Sequence, residues 1–197
     1  RIINKAVNLQ GIFNDNVANH EKDLSMVIKN DLVGGQVMVI DITLLDDNTQ
    51  AFVFGSVARA IWEMKFDTER DNIPKKVIIF VDELNKYASN DTPKGSPILH
   101  QLLDITERGR SRGIILFSVE QFRSAIHDRV KGNCATSAYG RPNAIEVSKP
   151  DYRYIPKTYQ NMMTRLAAGE YIISNPALRS LVNVKFPYNT YKQFTNG

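Results

Sequence analysis

The apolar positions of this chain switch between short unbroken runs and helical periods. Gln36–Ile42 (QVMVIDI), Val77–Val81 (VIIFV) and Gly113–Ser118 (GIILFS) are continuous apolar runs, as in strands of a parallel sheet buried on both faces. Between them the spacing turns helical. Val17, Leu24, Val27, Ile28 and Leu32 predict a helix over Val17–Leu32, closed by Gly34 and Gly35. Phe54, Val57, Ala58, Ile61 and Trp62 give a core face to a helix over Gln50–Lys65. Ser96 as N-cap and Pro97 at the first helical position start another, with Ile98, Leu99, Leu102, Leu103 and Ile105 inward. Phe122, Ala125, Ile126 and Val130 predict a short helix, and Thr158–Ala168 a longer one stopped by Gly169. Ala135–Tyr139 and Ala144–Val147 read as short strands, and Tyr171–Ser174 with Leu181–Lys185 as a closing pair. Residues 1–16 are polar, Asn-rich and without period.

Strands alternating with helices specify an α/β fold with a mainly parallel sheet flanked by helices. The 197 residues fit one domain, and no internal repeat or low-complexity segment divides them. A hydrophobic fraction of 43% and a charged fraction of 23% belong to an ordinary globular chain. The net charge of +4 permits a polyanionic partner without requiring one. Cys134 is the only cysteine, which excludes an internal disulfide and a Cys-rich zinc site. It reads as a small buried hydrophobe, and a reducing, cytoplasmic compartment is expected. His20, His100 and His127 lack metal-ligand spacing. No apolar run approaches the ~20 residues of a membrane-spanning helix.

The chemistry is concentrated after the second run. Asp82 and Glu83 stand at its C-terminal end, where open α/β sheets bind ligands. One carboxylate there can hold the water shell of Mg²⁺, and the next can orient and deprotonate an attacking water. The competing reading is a strand that ends in charge because it reaches solvent. A phosphate-cradling G-x-x-x-x-G-K-[ST] loop would complete the site, but none of the eleven glycines is followed by Lys. Lys94-Gly95-Ser96 has the order reversed. The start at Arg1, within a polar stretch, leads us to expect a piece of a longer protein with its phosphate loop upstream. The alternative is a domain that never bound nucleotide.

The order VIIFVDE, then ERGRSRGIILFSVEQFRS, resembles the HerA/FtsK superfamily of ring-forming P-loop DNA-translocating ATPases, and HerA-like proteins in particular. The stretch GQVMVIDIT with its following helix and the late LAAGEYIISNPALRSLVNVKF are similar to further elements of that family. The resemblance spans roughly residues 34–186 and implies the C-terminal portion of a RecA-like ATPase core. It implies Asp82 as the Walker B aspartate that holds Mg²⁺ through water, with Glu83 as the catalytic glutamate beside the nucleotide. Gln121 corresponds to the polar sensor, in Glu120-Gln121-Phe122-Arg123-Ser124 where the family carries Thr or Ser, Gln, Arg, Pro. Arg110 matches the arginine finger that reaches a neighbouring subunit's nucleotide. Arg108 and Arg112 flank it, and their position at a helix C-terminus also suits the macrodipole. Arg141 lies near another arginine-bearing stretch of the family.

Arg123, Arg129 and Lys131 are candidates for DNA phosphates, against the simpler reading of a solvated helix face. Tyr152 and Tyr154 can stack on bases or pack internally. Taken together, the resemblance implies ATP and Mg²⁺ as cofactors, duplex DNA as substrate, a homo-hexameric ring and a nuclease partner. Without its phosphate loop the chain alone is expected to be inactive. Two alternatives stand beside this reading: a conjugation or packaging ATPase of the same superfamily, and a non-catalytic, degenerate ATPase-fold interaction domain.

Overall fold

The computed structural model describes residues 21–67 and 69–187. The chain divides into two compact units, Arg1–Val119 and Glu120–Gly197. Residues 1–16 and the first part of the expected Val17–Leu32 helix lie outside the described residues.

In the first unit, Asp23 caps helix α1 (Leu24–Met26), its carboxylate accepting from the Met26 N–H at 2.9 Å. The chain then widens into a π-type turn over Val27–Asp31, closed by Leu32 N–H to Val27 O. Helix α2 (Asp47–Met64) begins where Asp46 accepts from the N–H groups of Asn48 and Thr49 and from the Thr49 hydroxyl. Helix α3 (Pro97–Arg108) starts at the Ser96 cap, as its sequence predicts. Gly55 on α2 lets the two helices approach, since a Cβ there would stand 3.1 Å from Ile98 Cγ1.

The helices cover one face of a parallel pair, β1 (Val77–Asp82) and β2 (Ile114–Val119). Its register runs from Val77 opposite Ile114 to Asp82 opposite Val119. Val77 and Ile114 join Ile28, Ala58, Ala60, Ile61, Met64 and Ile105 in the core. The opposite face corrects the expectation of burial on both sides. Ile78, Ile115 and Phe117 are exposed there, Phe80 is 74% exposed, and Phe80 stacks on Phe117 at 5.1 Å. Both runs are apolar on both faces, but among the described residues the helices that pack on them lie on one side. The Gln36–Ile42 run is likewise corrected. It has no strand pairing and lies across a cleft of about 880 Å³ from β1, with Val37 90% exposed. Its apolar residues satisfy the strand pattern, yet no ladder bond joins it to a neighbour.

The second unit holds α4 (Asp128–Asn133), β3 (Ser137–Tyr139), α5 (Ala144–Val147), α6 (Lys157–Met163), β4 (Glu170–Ser174) and β5 (Val182–Lys185). The three strands form an antiparallel sheet in the order β3-β4-β5. Ala144–Val147, expected as a strand, is a helical turn because Asn143 caps it, its side chain accepting from the Glu146 N–H at 2.7 Å. The helix expected over Thr158–Ala168 ends early, at Met163. Tyr139, Tyr152, Ile155, Met163, Leu166 and Ile172 make this unit's own core.

Two features of the first unit fix its stability. Gly113 opens β2 at φ +71°, and a Cβ there would stand 2.2 Å from the Lys75 carbonyl oxygen. Gly113→Ala therefore destabilises the fold by about 2–4 kcal/mol in urea unfolding, combining left-handed strain with a backbone clash. Glu63 accepts from Lys29 and from Arg59 Nε, and these hydrogen bonds hold its carboxyl below the ordinary carboxylate range. A depressed folded value contributes stability above the unfolded value near 4.5 that is lost as pH falls through the folded one. Glu63→Gln should therefore lower stability at neutral pH and flatten the acid limb of a stability–pH curve below about pH 4.5.

Candidate functional site

The ladder between β1 and β2 sets the site at its C-terminal end. Its last bond is Glu83 N–H to Val119 O at 3.0 Å. Immediately afterwards the chain must turn inward, because Leu84, Tyr87 and Ala88 are buried and Tyr87 stacks on Phe54 at 4.4 Å. The turn is made at Glu83, whose φ of 54° and ψ of 52° are left-handed. Among the described residues no other non-glycine has positive φ. Such strain costs of order 1–2 kcal/mol and collects where side-chain placement is constrained by function.

Asp82 is exposed, on the same face as Ile78 and Phe80. The Glu83 carboxylate accepts from Lys86 Nζ at 2.6 Å, and this hydrogen bond raises the ammonium's pKa. Lys86 thus occupies the carboxylate that a water would use, a feature sequence patterning does not reveal. Two adjacent carboxylates at a solvent edge fit one side of a hydrated Mg²⁺, whose own waters fill most of its octahedron. They do not form a protein cage: the described residues contain no group of three or more acidic, His or Cys ligands. Nor do they supply a cradle for a triphosphate.

The three arginines before β2 differ in their surroundings. Arg108 pairs with Asp104 and lies 5.9 Å from the Trp62 ring centroid. Arg112 sits over the Phe66 ring at 3.9 Å. Arg110 is exposed and, among the described residues, has no side-chain partner. All three stand at the N-terminal end of β2, opposite the end that carries Asp82. The five steps between the six residues of a strand, at about 3.3 Å each, place roughly 17 Å between the two ends.

No protein-family model and no curated protein matches the chain. Solved structures do. The genome-packaging NTPase B204 from Sulfolobus turreted icosahedral virus 2, bound to ATP-γS, superposes with a TM-score of 0.56 at 13% identity, covering 86% of this chain and 74% of that one. The same protein with AMPPCP gives 0.57 at 14% identity, over 85% and 73%. The fold is that of a P-loop NTPase. In such a fold the C-terminal end of a parallel strand, where Asp82 and Glu83 lie, is the ligand end of the sheet.

The remaining expected residues lie in the second unit of this P-loop NTPase fold. Gln121 is exposed, two residues past Val119. Arg123 lies 5.7 Å from the Tyr139 ring and 5.8 Å from the Tyr154 ring, with Nη1 donating to Ser137 Oγ at 3.4 Å. Arg129 and Arg141 are exposed. Lys131 is turned inward, its side chain 7% exposed between Asp128 and Asp151, so its charge is engaged inside the unit. Tyr152 is buried and Tyr154 exposed. Cys134, expected in the core, is exposed, its thiol donating to Val130 O.

The strain at Glu83 has a measurable signature. Glu83→Gly relieves the left-handed backbone and should raise unfolding stability by about 0.5–1 kcal/mol in urea, although it removes a carboxylate and an ion pair. A loss of stability would mean that the Lys86 pair holds the turn.

Proposed function

We propose that this chain is the Walker B and arginine-finger portion of an ATP-driven, ring-forming DNA translocase of the HerA or genome-packaging kind. The observation that carries the reading is the pair Asp82-Glu83 at the ligand end of β1, with Glu83 in a strained left-handed turn directly after its ladder bond to Val119. Support comes from the fold shared with a packaging NTPase solved with ATP analogues. The phosphate cradle belongs, in this reading, to another part of the same polypeptide.

Asp82 would hold one side of the water shell of a Mg²⁺ bound with nucleotide, which would supply charge stabilisation for phosphoryl transfer. Glu83 orients the attacking water and takes its proton, which requires Lys86 to release the carboxylate. Arg110 serves the nucleotide of a neighbouring subunit. The roughly 17 Å of strand between it and Asp82 keeps it from this subunit's own site. Its flanking arginines are engaged with Asp104, Trp62 and Phe66, which leaves Arg110 to reach outward. Gln121 senses the γ-phosphate.

In the protein carrying both this chain and its phosphate loop, Glu83→Gln should leave ATP binding intact and lower turnover by about 10²–10⁴-fold. Unchanged turnover would remove Glu83 from the chemistry. Arg110→Ala should abolish turnover in pure rings and be partly restored when mixed with Glu83→Gln subunits, because each supplies what the other lacks. Failure to complement would make Arg110 a structural residue. The second reading is a non-catalytic interaction domain, favoured by the absence of G-x-x-x-x-G-K-[ST] from this sequence. It predicts no effect of either substitution on the protein's activity.

A further inference from the structure

The charge of this chain is unevenly divided. Residues 120–197 carry eleven Lys and Arg against five Asp and Glu, a net +6, whereas residues 1–119 carry fourteen against sixteen, a net −2. Charge asymmetry of this kind points to a polyanion on the second unit. Several of that unit's acids are engaged internally: Asp128 and Asp151 with Lys131, Glu146 with Ser124, and Glu170 with the Ala167 N–H.

Three of the unit's exposed cations are gathered by one built turn. Between α5 and α6 the chain passes through Lys149–Lys157, with Pro150 and Pro156 restricting it. Tyr152 and Ile155 are buried in the unit's core and pin the turn from inside. Gln160 is buried and staples it, its Nε2 donating to Tyr152 O at 2.8 Å and to Ile155 O at 2.7 Å. With these residues turned in, Lys149, Arg153 and Lys157 are left exposed at every fourth position. All three line one cleft of about 320 Å³, and no carboxylate lines it. Lys157 Nζ is held by Gln160 Oε1 at 3.1 Å, which orients one of the three charges.

We propose that the cleft walled by Lys149, Arg153 and Lys157 is a backbone-phosphate site for duplex DNA. Three cations on a preorganised turn, with the lining amide of Gln160 engaged by Lys157 and the Tyr152 and Ile155 carbonyls, suit contacts that position the duplex without reading its sequence. The site takes over the role that Lys131, engaged with Asp128 and Asp151, does not present to solvent. The inference rests on the translocase reading for the identity of the polyanion alone.

The test is fluorescence anisotropy of a labelled mixed-sequence duplex with the full protein at several KCl concentrations. Lys149→Gln/Arg153→Gln/Lys157→Gln should weaken binding about tenfold or more near physiological salt and reduce the salt slope by about 2–3. Arg153→Gln alone should reduce the slope by about 1, which keeps the test valid if the triple variant folds poorly. Arg165→Gln/Arg179→Gln/Lys185→Gln removes the same charge from exposed positions outside the cleft and should leave the slope nearly unchanged. Equal losses in both triple variants would reduce the effect to net charge and overturn the site. Unchanged DNA binding in the cleft variant would overturn it too, whether or not that variant loses affinity for inorganic phosphate or for phosphatidylserine vesicles. DNA binding through the cleft without ATP turnover would overturn the motor reading and leave the cleft in place.

Discussion

The parallel ladder between β1 and β2 is the constraint on which the candidate site depends. It opens at Val77 N–H to Gly113 O and closes at Glu83 N–H to Val119 O. The acceptor of the first bond, Gly113, takes a left-handed conformation so close to the Lys75 carbonyl that no side chain fits there. Lys65 reinforces that entry, its ammonium donating to the carbonyls of Pro74 and Lys75. The last bond fixes Glu83 against the end of the neighbouring strand while buried Leu84 pulls the chain inward. Register therefore transmits a constraint from a glycine at one end to a carboxylate at the other.

The same ladder separates the site's charges. Carboxylates stand at one end and arginines at the other, so their attraction within one chain is weakened by distance and by solvent. The arginines are then distinguished by local packing. A guanidinium resting on an aromatic face gains from the ring's quadrupole and from covering apolar surface. Arg108 and Arg112 have such rings and Arg110 does not. The 3₁₀ turn over Gly109–Arg112 makes the difference, because it presents successive side chains in different directions.

Much of this was legible in the residues. The apolar runs at Val77 and Ile114, the Ser96-Pro97 helix start and the acidic pair at the strand end all obey local rules, and local rules suffice where the nearest neighbours decide the outcome. What escaped depends on contacts, near or distant, that hydrophobic patterning does not carry. QVMVIDI satisfies a strand pattern but has no ladder partner, and pattern alone says nothing about pairing. VIIFV reads as buried on both faces, while the described helices cover one. Ala144–Val147 has β-branched content, yet one capping asparagine outweighs it over four residues. The left-handed turn at Glu83 could not be read, because it arises from the burial of Leu84, Tyr87 and Ala88 rather than from Glu83 itself. Lys131 looked available on a helix because its partner Asp151 lies twenty residues away.

The boundary between the two units also divides the charge, a net −2 over residues 1–119 and +6 over residues 120–197. The boundary falls between Val119 and Glu120, so the chain crosses it once. Val119 is the residue whose carbonyl accepts the Glu83 N–H. That bond pins the peptide plane ahead of Glu83, and its acceptor is the last residue before the crossing. Within four residues of Val119 the chain passes Gln121 and reaches Arg123, which is seated against Tyr139 and Tyr154. Tyr154 lies within the Lys149–Lys157 turn and shares a hydroxyl hydrogen bond with Tyr139. Within the second unit, Arg123 and Tyr139 are thereby tied to the turn that carries Lys149, Arg153 and Lys157.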